Sequence, residues 1–279
     1  MDIANLFSVA GKNVLVTGGG RGIGEMIAEG LVANGATVIV SSRDLKQCEV
    51  TASRLNAMGK GHCVAIASDL GKIEGIEALV ADVKSVTGGK LHGLINNSGK
   101  AWAQPIEQFD VTKGFDQIMF LNVTSPFMLT KLCLPLLEAA AEPGHHSSVV
   151  NIASIDAMRT PRNPTFSYSS SKSALIALTK HLALHLSPKN ITFNAIAPGP
   201  FFTKMLAGNY PPALKHWNEP NHPEVLKFKQ AIGGQVPSGR MGEKEDAAGT
   251  VVFLMSPAGS YVNGALINLD GGMHIGSKI

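Results

Sequence analysis

Short runs rich in β-branched residues alternate with longer helical stretches from one end of the chain to the other, and this alternation restricts the possible folds more than any other feature. Strands are expected at residues 12–17, 36–41, 62–67, 91–96, 147–154, 191–196 and 265–269. Helices are expected at 22–34, 45–58, 73–86, 112–141, 168–186 and 244–255. A bend near Pro126 or Pro135 is expected in the longest of these. Strands that are apolar on both faces and separated by helices imply a parallel sheet covered on both sides. Right-handed crossovers then give an α/β, doubly wound Rossmann sheet of seven strands. No internal repeat or linker divides the chain, so residues 1–279 read as one domain. Hydrophobic residues at 44% and charged residues at 16% are enough to fill its core.

The segment 200–237 breaks the alternation. It holds Pro211, Pro212, Pro220 and Pro223 with the aromatics Tyr210 and Trp217, and reads as a long irregular segment, either a disordered loop or a lid over a substrate, with the two aromatics favouring the lid. Met205, Leu206, Tyr210 and Trp217 fit either an apolar substrate wall or ordinary lid packing. The stretches 168–186 and 120–137 are apolar on nearly every side, more than one sheet face can cover, which implies a homo-oligomer, a dimer or tetramer.

Directly after the first strand comes Thr17-Gly18-Gly19-Gly20-Arg21-Gly22-Ile23-Gly24. Glycines between a strand and a helix let the backbone approach a pyrophosphate held at the helix N-terminus. The end of the second strand selects the nucleotide. An acidic residue there would favour NAD, whereas this chain has Ser41-Ser42-Arg43. Arg43, helped by Arg21, suits a 2′-phosphate, so the expected cofactor is NADP(H). Asp44 reads as the cap of the next helix.

These motifs resemble the short-chain dehydrogenase/reductase family over almost the whole chain. The glycine loop fits that family's TGxxxGxG pattern, with Gly18, Gly20, Arg21, Gly22, Ile23 and Gly24 at the cofactor. The resemblance implies further cofactor contacts from Ser42, Arg43, Asp69, Leu70, Asn96, Ser98 and Gly99. Asn96-Asn97-Ser98-Gly99 matches the family's NNAG, with Ser98 in place of alanine. Pro198, Gly199, Phe201 and Thr203 match the segment that holds the nicotinamide carboxamide. Asn122, Ser154, Tyr168 and Lys172 fall at the four catalytic positions. Gly271-Gly272 after Asp270 resembles the C-terminal signature. Within the family the sequence is similar to bacterial 3-oxoacyl-(acyl-carrier-protein) reductases, including the type linked to rhamnolipid synthesis.

Tyr168 and Lys172 are four apart, one turn along a helix. An ammonium beside a phenol lowers its pKa from about 10. Tyr168 is then the proton donor to a carbonyl as hydride arrives, and Lys172 also holds the nicotinamide ribose, as the resemblance implies. Ser154 would stabilise charge on the substrate oxygen. Asn122 would support a water-mediated proton path to Lys172. The expected activity is interconversion of a ketone and a secondary alcohol, of the 3-oxoacyl reductase type. A polyol or sugar-alcohol dehydrogenase is the alternative within enzymes, and a non-enzymatic NADP-binding redox sensor the alternative outside them.

A net charge of +3 with scattered basic residues leaves no footprint for nucleic acid or a membrane surface. Cys48, Cys63 and Cys133 lie far apart, without CxxC spacing, and read as buried or semi-buried thiols of a reducing compartment. No signal peptide is expected from the opening residues and no bilayer-spanning apolar run from the rest, so the expected location is the cytoplasm. The terminal Ser277-Lys278-Ile279 is one residue from a peroxisomal address; it reads first as an ordinary tail, with peroxisomal import as the alternative. His145-His146 lacks a third ligand, Asp156 and Arg159 stand at the substrate mouth or in solvent, and no metal site is expected.

Overall fold

A computed structural model describes residues 2–142, 144–208 and 210–276. Seven strands form one parallel sheet in the order β3-β2-β1-β4-β5-β6-β7. They are β1 (Asn13–Thr17), β2 (Thr37–Ser42), β3 (His62–Ala67), β4 (Gly93–Asn96), β5 (Ser147–Ile152), β6 (Ile191–Pro198) and β7 (Leu266–Leu269). After a four-residue helix α1 (Ile3–Leu6), the crossovers are α2 (Gly22–Ala33), α3 (Leu45–Asn56), α4 (Ile73–Thr87) and α5 (Thr112–Ala140). α6 (Phe166–Leu186) follows β5, and α10 (Lys244–Met255) leads into β7. The expected doubly wound α/β architecture is present, with strand boundaries shifted by two residues at most.

Strand side chains alternate between faces, and the core divides accordingly. Val14, Val16, Val38 and Val40 join Ile27 and Leu31 of α2, Leu55 of α3 and Val251 of α10. Leu15 and Ile39, on the opposite face, join Ile76 and Leu79 of α4 and Leu129, Cys133 and Leu137 of α5. The α2–α10 contact depends on Gly30, whose Cβ would lie 2.3 Å from the Cβ of Ala248. By length and apolar content α5 alone among the described helices could cross a bilayer, but its burial against the sheet is that of a core helix.

The bend expected in α5 takes a different form. Two π turns, at Thr112–Asp116 and Phe120–Thr124, interrupt the α-helical winding. Ser125 N–H donates to the carbonyl of Phe120 five residues back. Pro126 has no N–H to return to Asn122, so the widened turn falls where the regular ladder could not continue.

The irregular segment expected at 200–237 is instead three short helices, α7 (Lys204–Ala207), α8 (Pro211–Lys215) and α9 (Pro223–Gly233). Pro211 and Pro223 occupy first turns, where a missing N–H costs no hydrogen bond. These prolines therefore start helices rather than break them. Ala213, Val225 and Phe228 form a small core of their own, closed by Phe202, Leu206, Tyr210 and Ile232.

Candidate active site

All seven strands run the same way, so the loops after their C-terminal ends share one edge of the sheet. The order reverses between β1 and β4, which opens a crevice there. The glycine loop enters it from β1. Gly18 has φ +65°, and its N–H donates to Ser41 O at 2.7 Å. A Cβ on Gly24 would stand 2.4 Å from Gly18 O, so loop and helix start are too close for any side chain. Arg21 is the N-cap of α2 and makes no side-chain cap bond. The first amides of α2 thus have no side-chain cap, the arrangement that binds a phosphate.

Two residues outside the expected set weld this loop to the turn after β4. Thr17 Oγ1 donates to Ile95 O (3.2 Å) and accepts from the N–H groups of Asn97 and Ser98, both at 3.0 Å. Asn97 Nδ2 donates to Thr17 O (2.8 Å) and Gly18 O (3.3 Å). Ser98 Oγ stands 3.2 Å from where a Cβ of Gly18 would be, placing this added hydroxyl at the cleft. Asn96 behaves differently from its expected cofactor role. Its buried side chain donates to Asn151 Oδ1 at 2.8 Å, and Asn151 donates in turn to Thr179 Oγ1 at 2.9 Å. The asparagine at the strand end faces into the protein, and its neighbour Asn97 serves the cleft.

At the end of β2, Ser42 Oγ lies 3.1 Å from Cys48 Sγ. Burial pushes the Cys48 thiol up, while the Arg21 charge opposes the shift, which places Arg21 near the same spot. Arg21 and Arg43 are exposed and form no ion pair among the described residues, whereas Arg54 nearby engages Glu25 (2.8 Å) and Glu29 (2.7 Å). Two exposed guanidinium groups, one in the glycine loop and one just after β2, are therefore available to a 2′-phosphate. Asp44 caps α3 as expected, accepting from Gln47 N at 3.2 Å. Asp69 follows β3 half-buried, its Oδ1 accepting from Gly71 N at 3.1 Å, with Leu70 buried beside it.

On the β6 side, Gly199 N–H donates to Leu269 O at 2.9 Å, continuing the pairing of Pro198 with Leu269. Thr203 caps α7 by accepting from Leu206 N, and its Cγ2 is 3.2 Å from where a Cβ of Gly22 would be. The lid's first turn thus rests on the glycine loop. The Phe201 ring is buried against Gly242 within the core, so only the backbone at that position can serve a ligand.

Ser154, Tyr168, Lys172 and Asn122 gather beyond β4 and β5. Ser154 follows β5, with Oγ accepting from Asp156 N at 3.1 Å. Lys172 is buried, and its Nζ donates to Ile152 O at 2.7 Å while lying 5.8 Å from the centre of the Tyr168 ring. Desolvation lowers this lysine's pKa to about 8. Burial raises Tyr168 above the usual phenol value; the Ser154 hydroxyl pulls it back and the Asp156 charge adds to the rise. The expected lowering of the phenol by Lys172 is not seen in this arrangement. The ammonium is turned to a backbone carbonyl, and desolvation outweighs the hydrogen bond from Ser154.

The role expected of Asn122 also changes. Its amide donates to Lys100 O (3.0 Å) and Ser171 Oγ (2.9 Å), and its Oδ1 accepts from Lys100 N (3.0 Å). The side chain clamps the loop after β4 onto α6 and is not free to carry a proton. Its backbone carbonyl, deprived of the Pro126 donor, is the part left available. Gly99 completes the cradle: a Cβ there would meet Asn122 Oδ1 at 3.2 Å and Lys172 Nζ at 3.4 Å.

A phosphate-binding helix start beside a Tyr–Lys helical turn with its lysine buried defines a nicotinamide-dependent oxidoreductase of the short-chain dehydrogenase/reductase class. The chain belongs to that family: a family profile described as enoyl-(acyl carrier protein) reductase matches residues 18–274. It is 37% identical over 269 residues to the rhamnolipids biosynthesis 3-oxoacyl-(acyl-carrier-protein) reductase of Pseudomonas aeruginosa, covering 96% of this chain and 98% of that one. It is 32% identical to the 2-dehydro-3-deoxy-D-gluconate 5-dehydrogenase of Dickeya dadantii, over 97% and 98% of the two chains. Among solved structures, the Pseudomonas aeruginosa RhlG/NADP active-site complex superposes with a TM-score of 0.84 at 36% identity, covering 97% and 99% of the two chains. L-Sorbose reductase from Gluconobacter frateurii, complexed with NADPH and L-sorbose, gives 0.84 at 26% identity, with 96% and 98% covered.

Proposed function

We propose that this protein is an NADPH-dependent ketoreductase that interconverts a ketone and a secondary alcohol, with 3-oxoacyl thioesters as its substrate class. The observation that carries the reading is the cluster of Ser154, Tyr168 and Lys172, with Lys172 set beside Gly99 in the loop after β4. Relatives that span nearly the whole chain, and structures captured with NADP or NADPH, support the cofactor and the reaction type.

The amides that open α2 would hold the pyrophosphate, and Arg21 and Arg43 the 2′-phosphate. Bound there, the nicotinamide supplies the hydride. Tyr168 donates its phenolic proton to the carbonyl oxygen as the carbonyl carbon is reduced, and Ser154 Oγ hydrogen-bonds that oxygen as it gains charge. Burial keeps Tyr168 protonated at neutral pH, the form a reductase needs. Lys172, only one turn away, has to turn from Ile152 O towards the phenol to stabilise the phenolate left behind. Asp156 and Arg159, joined at 3.1 Å, stand beside Ser154 at the substrate mouth.

The gluconate and sorbose enzymes among the relatives favour a second reading, a sugar or polyol substrate at the same catalytic group. Purified protein tested with NADPH on 3-oxoacyl thioesters and on ketosugars separates the two. Turnover confined to ketosugars would remove the thioester reading, and no turnover on any carbonyl would remove the enzyme.

The chain also forms a homo-oligomer through α5 and α6 in this reading. The buried face of α6 carries Ser167, Ser171, Lys172 and Thr179 together with Leu175 and Ala183, whereas Leu184 is 73% exposed. A helix that spends much of its buried face on polar groups and leaves a leucine outward wants a second cover. Sedimentation of wild type and Leu184→Glu tests this, since a monomeric wild type would end it. The protein is assigned to a reducing compartment; Cys48, Cys63 and Cys133 are free, buried thiols. The terminal tripeptide Ser277-Lys278-Ile279 lies outside the described residues.

A further inference from the structure

The lid carries a group of side chains that the reductase chemistry does not use. His216 is the C-cap of α8, His222 is the N-cap of α9, and Glu219 lies midway between them. Two successive turns set them on one side: Glu219 N–H donates to His216 O at 2.8 Å, and His222 N–H to Glu219 O at 2.9 Å. Their ligand atoms all lie within 4.8 Å of one another, and the two imidazole rings stack with centroids 3.4 Å apart.

We propose that His216, Glu219 and His222 form a divalent transition-metal site of the zinc class, which staples the two lid helices together. Two imidazoles and a carboxylate with one open position are a standard zinc donor set, and such nitrogen-rich sets discriminate against calcium and magnesium. Bonds of about 2.0–2.1 Å in a tetrahedron set ligand atoms roughly 3.4 Å apart. The donor atoms lie within 4.8 Å of one another, and the two rings must turn out of their parallel stack for their lone pairs to converge on a common point.

His216 Nδ1 lies 3.1 Å from Glu219 Oε1, so the carboxylate already orients one imidazole. His222 Nδ1 accepts from Glu224 N at 3.3 Å, a long cap bond that ligation would exchange for a metal bond. Two ammonium groups of the lid have other partners: Lys204 lies over the Trp217 ring at 5.6 Å, and Lys229 donates to Pro220 O. The metal would thus close a loop from the end of α8 to the start of α9, over the lid core of Ala213, Val225 and Phe228.

The proposal is independent of the identity of the substrate. Metal-free full-length protein is titrated with zinc against a chromophoric chelator, and with cobalt to read coordination geometry. One ion per chain is expected, with the visible bands of tetrahedral cobalt. His216→Ala and His222→Ala should each weaken zinc by roughly 100-fold or more, beyond the ~10–100-fold of a second-shell change. His181→Ala/His185→Ala is the control, since those rings also stack on exposed α6, 6.5 Å apart. Trypsin cleavage at Lys215 and Lys227 should slow with zinc in the wild type and not in His216→Ala. Unchanged zinc affinity in His216→Ala and His222→Ala, or loss of binding in the α6 control instead, would overturn the site. Binding without protection from trypsin would overturn the staple.

Discussion

The cleft between β1 and β4 and the lid at 200–237 are both built around apolar contacts, yet they are held in opposite ways. The cleft is fixed by long-range hydrogen bonds between buried groups, with Thr17 and Asn97 binding two strand ends that are about 80 residues apart in the chain. The lid is fixed by its neighbours in sequence. Its core of Ala213, Val225 and Phe228 is separate from the two that flank the sheet. A region tied into the sheet can open only with the sheet, whereas a region with a private core can open alone. The rigid side fits a cofactor of constant shape, and the separable side fits a substrate that must enter and leave.

The largest expected effect tests the chemistry on the rigid side. Tyr168→Phe should lower kcat by ~10²–10⁴-fold, the usual contribution of a general acid, while NADPH affinity measured by fluorescence titration changes little. A comparable fall in NADPH affinity would mean that Tyr168 shapes the cleft rather than the reaction. Next comes cofactor selection. Hydrogen bonds to charged groups contribute ~1.5–3 kcal/mol, so Arg43→Ala should cut the NADPH-over-NADH ratio of kcat/KM by about 10–100-fold with NADH turnover preserved. Equal losses with both nucleotides would show that Arg43 supports the fold of the loop and does not read the phosphate.

Two substitutions then compare the regions directly. Thr17→Val removes the hydroxyl from three hydrogen bonds at 3.0–3.2 Å. It should cost roughly 1–3 kcal/mol and lower the global Tm by several degrees, given about 2–4 °C per kcal/mol at this size. Phe228→Ala opens the lid core and should leave the global Tm nearly unchanged, while raising KM for the carbonyl and the rate of proteolysis within the lid. If Phe228→Ala instead unfolds the whole chain early, the lid is an integral part of the sheet domain and the contrast fails.

The same contrast decides what could be read from the sequence. The alternation, the glycine loop and the Tyr168–Lys172 spacing are local patterns, and each sits where expected. Partner choice across the sheet is not local. Asn96 and Asn97 are adjacent and identical in type, and only the strand pleat decides that one joins Asn151 while the other clamps Gly18. Asn97 was nonetheless visible as part of the Asn-Asn-Ser-Gly motif; Thr17 carried no signal beyond its place before the glycines. The direction of Lys172 was equally hidden, because spacing puts it near Tyr168 but burial and Ile152 O decide where its charge points. In the lid, prolines suggested irregular chain, and their meaning as first-turn residues emerges only with the small core that supports α8 and α9. His216, Glu219 and His222 escaped notice because their spacing follows two turns and no standard metal motif.

The smallest effect is also the most specific, and it concerns the charge of Lys172. Its pKa is lowered from 10.5 to about 8 by desolvation, with the side chain fully enclosed. Between these values the unfolded chain binds a proton that the folded chain lacks, so stability must rise with pH across this window. Burial also raises Cys63 and Cys133 from 9.0 to about 12. Their contribution is present well below pH 9 and is lost as pH rises through 9 towards 12, so it offsets part of the lysine's gain from about pH 8 upwards. Lys172 is therefore isolated by difference: between about pH 8 and 9 the stability of the wild type should rise by about 1 kcal/mol more than that of Lys172→Met, or a few degrees in Tm. The variant's absolute Tm is a poor guide, because methionine removes a buried charge but also leaves Ile152 O without its donor. A slope that survives in Lys172→Met would place the proton on another group, such as Lys12, whose pKa burial also lowers.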